Sequence, residues 1–403
     1  MVAPIADGHS VDASFVTLLT GGSDRPYAIG MAGALTTAGL CVDFIGSDEL
    51  IALELTSNAR LRFLNLRGDQ RPEATPLQKL FRVLVYYWRL LGYARNAEPR
   101  VFHILWNNRF QFVDCVCLML YYKWLGKQIV FTAHNVNAGR RDGHDSWWNR
   151  FLVKIQYHLS DHIFLHTEKM KQELLTDFGI AEAKTSIIPL GINDTSLQTS
   201  LSSLEARRHL GINPEDQVVL FFGRIKPYKG LEYLLGAFTV AAKRNSRLRL
   251  IVAGQPMGCD EYWESIQRSL EACGVRARIL ERIEFIPDDE TELFFKASDV
   301  LVLPYVNIFQ SGLLALSYNF GLPVIATDVG SLRDEVVEGE TGFICRPQDP
   351  DDLAMALEKY FSSDLFHELE HRRSVIRTLA NERYSWNKVA AITTKIYAQL
   401  LQA

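Results

Sequence analysis

Apolar residues in the second half of the chain fall into short unbroken runs: QVVLFF (217–222), LRLIVAG (248–254), IEFI (283–286), VLVLP (300–304), PVIAT (323–327) and GFIC (342–345). A strand buried on both faces needs no polar alternation, so runs of this length bounded by Gly and Pro predict the strands of a parallel sheet. Between them the period changes. In KGLEYLLGAFTVAAKRN, Leu231, Leu234, Leu235, Phe238 and Ala241 share one helical face. Strand and helix in alternation predict a doubly wound α/β domain.

The first half repeats the theme less cleanly, with strands predicted in SFVTLLT (14–20), CVDFIG (41–46), LRFLNL (61–66), VFHILW (101–106), QIVFTA (128–133), DHIFLH (161–166) and SIIPL (186–190). From Leu190 to Pro214 the composition turns to Ser, Thr, Asn and Gly, as in a linker, and RYSWNKVAAITTKIYAQLL is a helix left over once the strands are used up. A chain of 403 residues is also too long for one core, since single cores stop growing at roughly 250–300 residues. The expectation is therefore two α/β domains, 1–195 and 196–378, with a cleft between their carboxyl edges, and a terminal helical segment, 379–403, packing back on the first.

Composition narrows the function classes. With 48% hydrophobic and 22% charged residues the chain is ordinary globular material, and a net charge of −4 gives no general attraction for a nucleic acid. Six scattered cysteines without a C-x-x-C pair read as reduced core residues of a cytoplasmic protein. The first basic residue is Arg25, so Phe15–Leu19 reads as a strand rather than a signal peptide, and no uncharged run reaches the roughly 18 residues of a spanning helix.

Candidate chemistry gathers at the predicted strand ends. FFGRIKPYKG places Gly223, Arg224 and Lys229 at the carboxyl edge, where open α/β sheets bind ligands, and two cations there suit a phosphate. G-R alone would be a solvated turn; the spacing GR-x4-KG after a strand favours the phosphate. Gly254 and Gln255 end the next predicted strand, and Pro287 and Asp288 end another. The loop NIFQSG runs into a helix near Leu313, so the amides of Ser311, Gly312 and Leu313 would form an anion site at a helix N-terminus, with Ser311 also placed to cap it.

In the first half, Gly21 and Gly22 follow the first strand, where a ligand would approach the backbone closely, although no G-x-G-x-x-G occurs. His103, inside a strand, reads as structural; His134 and its neighbour Asn135, at a strand's end, read as site residues. Residues 60–100 carry nine Lys/Arg against three Asp/Glu, and within them the aromatic and basic segment 76–95 reads either as an interfacial helix on an anionic membrane or as a packed helix with basic ends.

Taken in order, TGG, TAHNV, SDHIFLHTEKMKQELLTDFGI, IIPLGIN, FFGRIKPYKG, FIPDDETELFFKASDVLVLPY and GLPVIATDVGSLRDEVVEGETGFICRPQDPDDLA resemble glycosyltransferase family 4, retaining enzymes of the GT-B fold. The resemblance implies a nucleotide-sugar donor in the C-terminal domain and a glycan, lipid-linked or polysaccharide acceptor on the N-terminal side, without a metal or other cofactor. It makes Arg224 and Lys229 the cations on the donor diphosphate, assisted by the backbone of Ser311–Leu313, puts Ile286 and Pro287 against the base, and sets His134 near the transferred sugar. Surface polysaccharide synthesis by a cytoplasmic, membrane-peripheral enzyme is the implied role.

One departure stands out. Aligning Gly321-Leu322-Pro323 with the family's G-x-P puts Ile308 and Leu316 where its EX7E motif has two glutamates. Neutral groups, Asn307, Gln310 and Ser317, are then the candidates for sugar and ribose contacts. The Gln-Ser-Gly loop is similar to a variant found among bacterial surface-polysaccharide enzymes of the family. Two other classes stay open: a degenerate nucleotide-sugar-binding protein, which would have no need of His134, and a GT-B-like epimerase, which would want acids that are scarce here.

Overall fold

The computed structural model describes residues 15–21, 25–48, 58–71, 74–137, 145–191 and 199–402. The chain forms two compact units, Met1–Asn193 with Trp386–Ala403, and Asp194–Ser385.

The first unit holds β1 (Phe15–Leu19), α1 (Arg25–Thr37), β2 (Cys41–Gly46), β3 (Leu61–Asn65), α2 (Pro76–Asn96), β4 (Val101–Ile104), a π-helical stretch (Val113–Leu118) running into α3 (Met119–Trp124), β5 (Gln128–Thr132), α4 (Trp147–Leu159), β6 (His162–Leu165), α5 (Glu168–Phe178) and β7 (Thr185–Ile187). Its strands lie parallel in the order β3-β2-β1-β4-β5-β6-β7. The order reverses between β1 and β4, so their carboxyl ends splay and leave a crevice. Helix α2 starts on a capping box, Gln78 Oε1 accepting from the Thr75 N–H at 2.9 Å, with Pro76 in its first turn.

The second unit holds α6 (Ser203–His209), β8 (Gln217–Phe222), α7 (Leu231–Arg244), β9 (Leu248–Ala253), α8 (Asp260–Ala272), β10 (Ile279–Arg282), α9 (Asp288–Ala297), β11 (Val300–Leu303), α10 (Gly312–Asn319), β12 (Val324–Thr327), α11 (Leu332–Glu335), β13 (Gly342–Cys345), α12 (Pro350–Phe361) and α13 (Leu369–Arg383). Six parallel strands run β10-β9-β8-β11-β12-β13, with the switch point between β8 and β11. Strands β8, β11 and β12 are buried at every position, as their unbroken apolar runs require.

The last helix, α14 (Trp386–Gln402), is part of the first unit, where Val389 and Tyr397 join Tyr27, Met31, Val16 and Leu18 in one core. Residues 379–385, grouped with it on sequence grounds, lie in the second unit. There the Arg383 guanidinium donates to the Asp334 carbonyl at 2.9 Å and the Tyr384 hydroxyl to Glu335 at 2.6 Å.

Two further expectations are corrected. IEFI is not a strand: β10 is the preceding ILER, paired with β9 from Ile279↔Leu250 to Arg282↔Ala253. An edge strand is only half covered and needs no unbroken apolar run, and the Gly254 N–H, donating to the Arg282 carbonyl at 2.9 Å, bonds across just beyond the paired segment. The IEFI run therefore falls in the loop beyond the sheet, with Phe285 70% exposed. The six thiols are all free, but only Cys115 and Cys345 are buried and Cys117 is exposed, so the cysteines are not uniformly core residues.

Candidate functional site

In the second unit, β8 and β9 end in glycines that touch. A Cβ on Gly254 would lie 2.0 Å from the Gly223 carbonyl oxygen, and Gly254 holds φ at 148°, so only glycine lets the two strand ends close together. Beyond Gly223 the chain passes Arg224, which is exposed, and turns through a 3₁₀ segment (Pro227–Lys229) that returns Lys229 beneath the strand end. Lys229 Nζ lies 3.0 Å from where a Gly223 Cβ would be, and Leu313 Cδ1, from the first turn of α10, lies 3.3 Å from the same point. Backbone, cation and helix terminus thus converge on one glycine.

The ammonium is poorly compensated. Its nearest acceptor is the Phe222 carbonyl at 3.5 Å, and the Tyr305 ring centroid is 5.9 Å away. Burial, and then the neighbouring Arg224 charge, push the Lys229 pKa down to about 7. An incoming anion would reverse both effects. The Tyr305 hydroxyl and Ser311 Oγ are 3.1 Å apart, while Tyr305 is anchored through its carbonyl, which accepts from Thr327 at 2.7 Å.

Ser311 occupies the N-cap position of α10, but its hydroxyl is turned to Tyr305 and makes no cap bond, which corrects the reading of it as a side-chain cap. Its carbonyl receives the Leu314 N–H at 3.2 Å. The amides of Gly312 and Leu313 precede the first intrahelical bond and are open to an anion. Gln310 keeps its Oε1 buried with no hydrogen-bond partner, and Asn307 is exposed. Ser317 is different: it is fully buried and donates to the Leu322 carbonyl at 2.9 Å, closing the turn after α10, so it is not placed to meet a ribose. Ile286 and Pro287 are half-buried in the loop leading into α9, for which Pro287 is the N-cap residue.

In the first unit, Gly21 ends β1 at the other switch point, where a Cβ would come within 2.5 Å of the Trp106 carbonyl oxygen. Gly22 lies outside the described residues. His134 follows β5, with Asn135 beside it, and its ring stacks on Trp106 (centroids 4.3 Å apart, 4° between planes) and meets the edge of Tyr27 at 4.7 Å. His166, after β6, was not singled out in the sequence, where it looked like the last residue of a strand. Its Nε2 lies 3.1 Å from His134 Nδ1, and its Nδ1 lies 3.1 Å from the Ile188 carbonyl.

That pair of contacts decides the protonation pattern. A carbonyl only accepts, so His166 Nδ1 carries the hydrogen and its Nε2 is a lone pair; His134 must then donate from Nδ1 and keep a lone pair on Nε2. Burial, reinforced by His166, holds the His134 pKa well below the ordinary range, and burial lowers His166 to about 4, so both rings are neutral at pH 7. His134 Nε2 is buried with no hydrogen-bond partner among the described residues, an acceptor for a hydroxyl. His103 is structural, spanning Tyr397 (2.6 Å) and Thr132 (2.7 Å). Among the described residues no group of His, Cys, Asp and Glu is arranged to hold a metal ion, and no helix is long and apolar enough to cross a membrane.

Comparison with known proteins gives a family match for each half of the chain: residues 27–196 match Glycosyltransferase Family 4 and residues 202–378 match Glycosyl transferases group 1. An uncharacterized glycosyltransferase of Methanocaldococcus jannaschii is 26% identical over 276 residues, 66% of this chain and 68% of that one. A D-inositol 3-phosphate glycosyltransferase of Streptomyces bingchenggensis is 28% identical over 257 residues, 60% of this chain but only 54% of its own length, so the match spans about half of that relative. Among solved structures, Anabaena HepE in complex with UDP and glucose superposes with a TM-score of 0.74 at 15% identity, covering 96% of this chain and 100% of that one. Sucrose-phosphate synthase from Thermosynechococcus elongatus gives 0.75 at 16% identity, covering 96% and 99%. The fold of the chain is GT-B.

Proposed function

Because this chain is a glycosyltransferase, carrying a Glycosyltransferase Family 4 domain followed by a Glycosyl transferases group 1 domain, we propose that it moves a sugar from a nucleoside-diphosphate sugar, bound by the second unit, to a glycan, polysaccharide or lipid-linked acceptor, with retention of anomeric configuration. The observation that carries the reading is the convergence of Lys229 Nζ and the first turn of α10 on Gly223. A buried, underpaired ammonium beside open helix amides suits a diphosphate leaving group.

In this reading Arg224 and Lys229 neutralise the charge that develops on the diphosphate as the bond from the anomeric carbon to the phosphate oxygen breaks. The acceptor oxygen forms its bond on the same face, and its proton passes to the departing phosphate oxygen, so no protein nucleophile is needed. The orphaned Gln310 Oε1 and the exposed Asn307 take the sugar hydroxyls that the missing glutamates would have held. Ile286 and Pro287 lie against the base, and Gly21, Gly254 and Asn135 shape the approach. His134 Nε2 accepts from a sugar or acceptor hydroxyl, a role that a mere binding protein would not require.

HepE holds UDP and UDP-glucose in its crystals, which makes uridine the first nucleotide to try. The outward strip of α2 (Leu77, Leu80, Phe81, Leu84, Trp88), exposed and carried on a helix with Lys79, Arg82 and Arg89, supports contact with an anionic membrane surface. Incubation with UDP-, GDP- and ADP-sugars should give slow donor hydrolysis and a thermal shift with one of them. No hydrolysis and no shift with any would end the donor reading.

A further inference from the structure

In the first unit a cavity of ≈ 280 Å³, the liquid volume of about nine water molecules, lies among residues following β3, the N-terminal half of α2 and the loop after β4. Five cationic side chains line it: Arg67, Arg71, Lys79, Arg82 and Arg109. They come from three separate segments, so the gathering is a product of the fold and not of one basic run. Like charges brought together repel, and among the described residues only one carboxylate pairs directly with any of them.

Asp69 is the counter-charge for two of the five, reaching Arg71 at 2.8 Å and Arg82 at 3.1 Å. Asp114, buried behind Asn108 and Tyr87, acts on Arg67 from a distance, and burial raises its own pKa toward the neutral form. Lys79 and Arg109 have no carboxylate partner among the described residues. The Arg67 guanidinium is laid over the Tyr86 ring, 5.3 Å from its centroid, and its Nη1 is buried without an acceptor. Asn108, which also lines the cavity, spends its amide on Asp114 at 2.8 Å and leaves Oδ1 buried without a donor.

A buried donor on a cation lacks an acceptor, and beside it a buried acceptor lacks a donor; each is costly unless a ligand completes it. A phosphate supplies oxygens to the guanidinium groups, and a hydroxyl attached to the same molecule supplies the proton Asn108 Oδ1 wants. We propose that this cavity binds a phosphate or diphosphate group borne by the acceptor. The inference rests on the reading that the first unit receives the acceptor, and it makes that acceptor a phosphorylated sugar or a glycosyl diphosphate. The donor's own diphosphate is assigned to the other unit and does not compete for these residues.

Inorganic pyrophosphate, titrated calorimetrically into the full chain saturated with UDP, tests the site. Binding is expected, and Lys79→Ala/Arg109→Ala and, separately, Arg67→Ala should each weaken it about tenfold or more while leaving UDP affinity unchanged. The first variant removes only a half-buried and an exposed side chain, so it remains informative if Arg67→Ala does not fold. Should UDP itself fail to bind, the donor reading falls and the same titration in Arg224→Ala/Lys229→Ala still tests the cavity. Phosphatidylcholine vesicles doped with farnesyl diphosphate identify the source: capture that depends on Arg67 and Arg109 assigns the phosphate to a lipid carrier, and pyrophosphate binding without capture assigns it to a soluble sugar phosphate. No pyrophosphate binding, or binding undiminished in Lys79→Ala/Arg109→Ala, overturns the proposal.

Discussion

His166 Nε2 stands 3.1 Å from His134 Nδ1, and because the Ile188 carbonyl commits the far nitrogen of His166, the first histidine fixes the tautomer of the second. Replacing His166 by Phe keeps the ring's bulk but frees His134 to hold its hydrogen on either nitrogen. The expected result is a loss in kcat on the order of tenfold, with donor KM little changed, and partial recovery in His166→Gln. A purely structural role for His166 would move thermal stability and leave that split unseen.

Lys229 gives a pH dependence with a definite sign. With its pKa near 7 in the free protein, the ammonium is already formed below neutrality, whereas above it the arriving diphosphate must bring about uptake of a proton. UDP affinity should therefore fall as pH rises past about 7, by up to about tenfold per unit. Calorimetry in two buffers of different ionisation heat would register the proton uptake, and Lys229→Arg should flatten the profile.

Gly254→Ala forces a Cβ against the Gly223 carbonyl and into a backbone region that L-residues avoid. A loss of roughly 1–3 kcal/mol in the second unit is expected, read by chemical denaturation, together with a smaller UDP-induced thermal shift because β8 and β9 no longer end in register.

Within the second unit the buried Arg207 guanidinium holds Asp299 at 2.7 Å and the carbonyls of Pro214, Asp216 and Ala297 at 2.6, 2.9 and 3.1 Å. Arg207→Met leaves a carboxylate whose burial already pushes its pKa up. About 3–5 kcal/mol of stability should be lost, and less in Arg207→Met/Asp299→Leu, where the buried carboxylate is removed together with the guanidinium.

The exposed strip of α2 makes a prediction by flotation: wild-type protein should rise with anionic vesicles, and Phe81→Asp/Trp88→Asp should stay behind. Wild-type protein that remains in the soluble fraction would remove the membrane from the reading.

Much of the fold was legible because strands β8, β11 and β12 are buried on both faces and announce it by composition. IEFI misled for the converse reason: an apolar run in a loop looks like a strand when the true edge strand, ILER, is half polar. At the site, Gly223, Arg224 and Lys229 were visible from spacing, but the burial of Lys229 was not, since it depends on a turn that folds the ammonium under its own strand. His166 gave no local signal. Its partner is 32 positions away, and only pairing of β5 with β6 brings the two rings together. The excess of cations over 60–100 and the aromatic, basic segment 76–95 are legible in the sequence, whereas the meeting of Arg67, Arg71, Lys79 and Arg82 with Arg109 is a property of the fold.

The loop leading into α10 is held from outside. Gly330 sits so close that a Cβ would strike the Ile308 carbonyl, and the Ser331 backbone N–H donates to the Phe309 carbonyl at 2.8 Å. Main-chain contacts thus set the path of residues 308–309. A change of side chain at 308 or 309 accordingly leaves these main-chain contacts in place, so the loop need not be rebuilt to accept it.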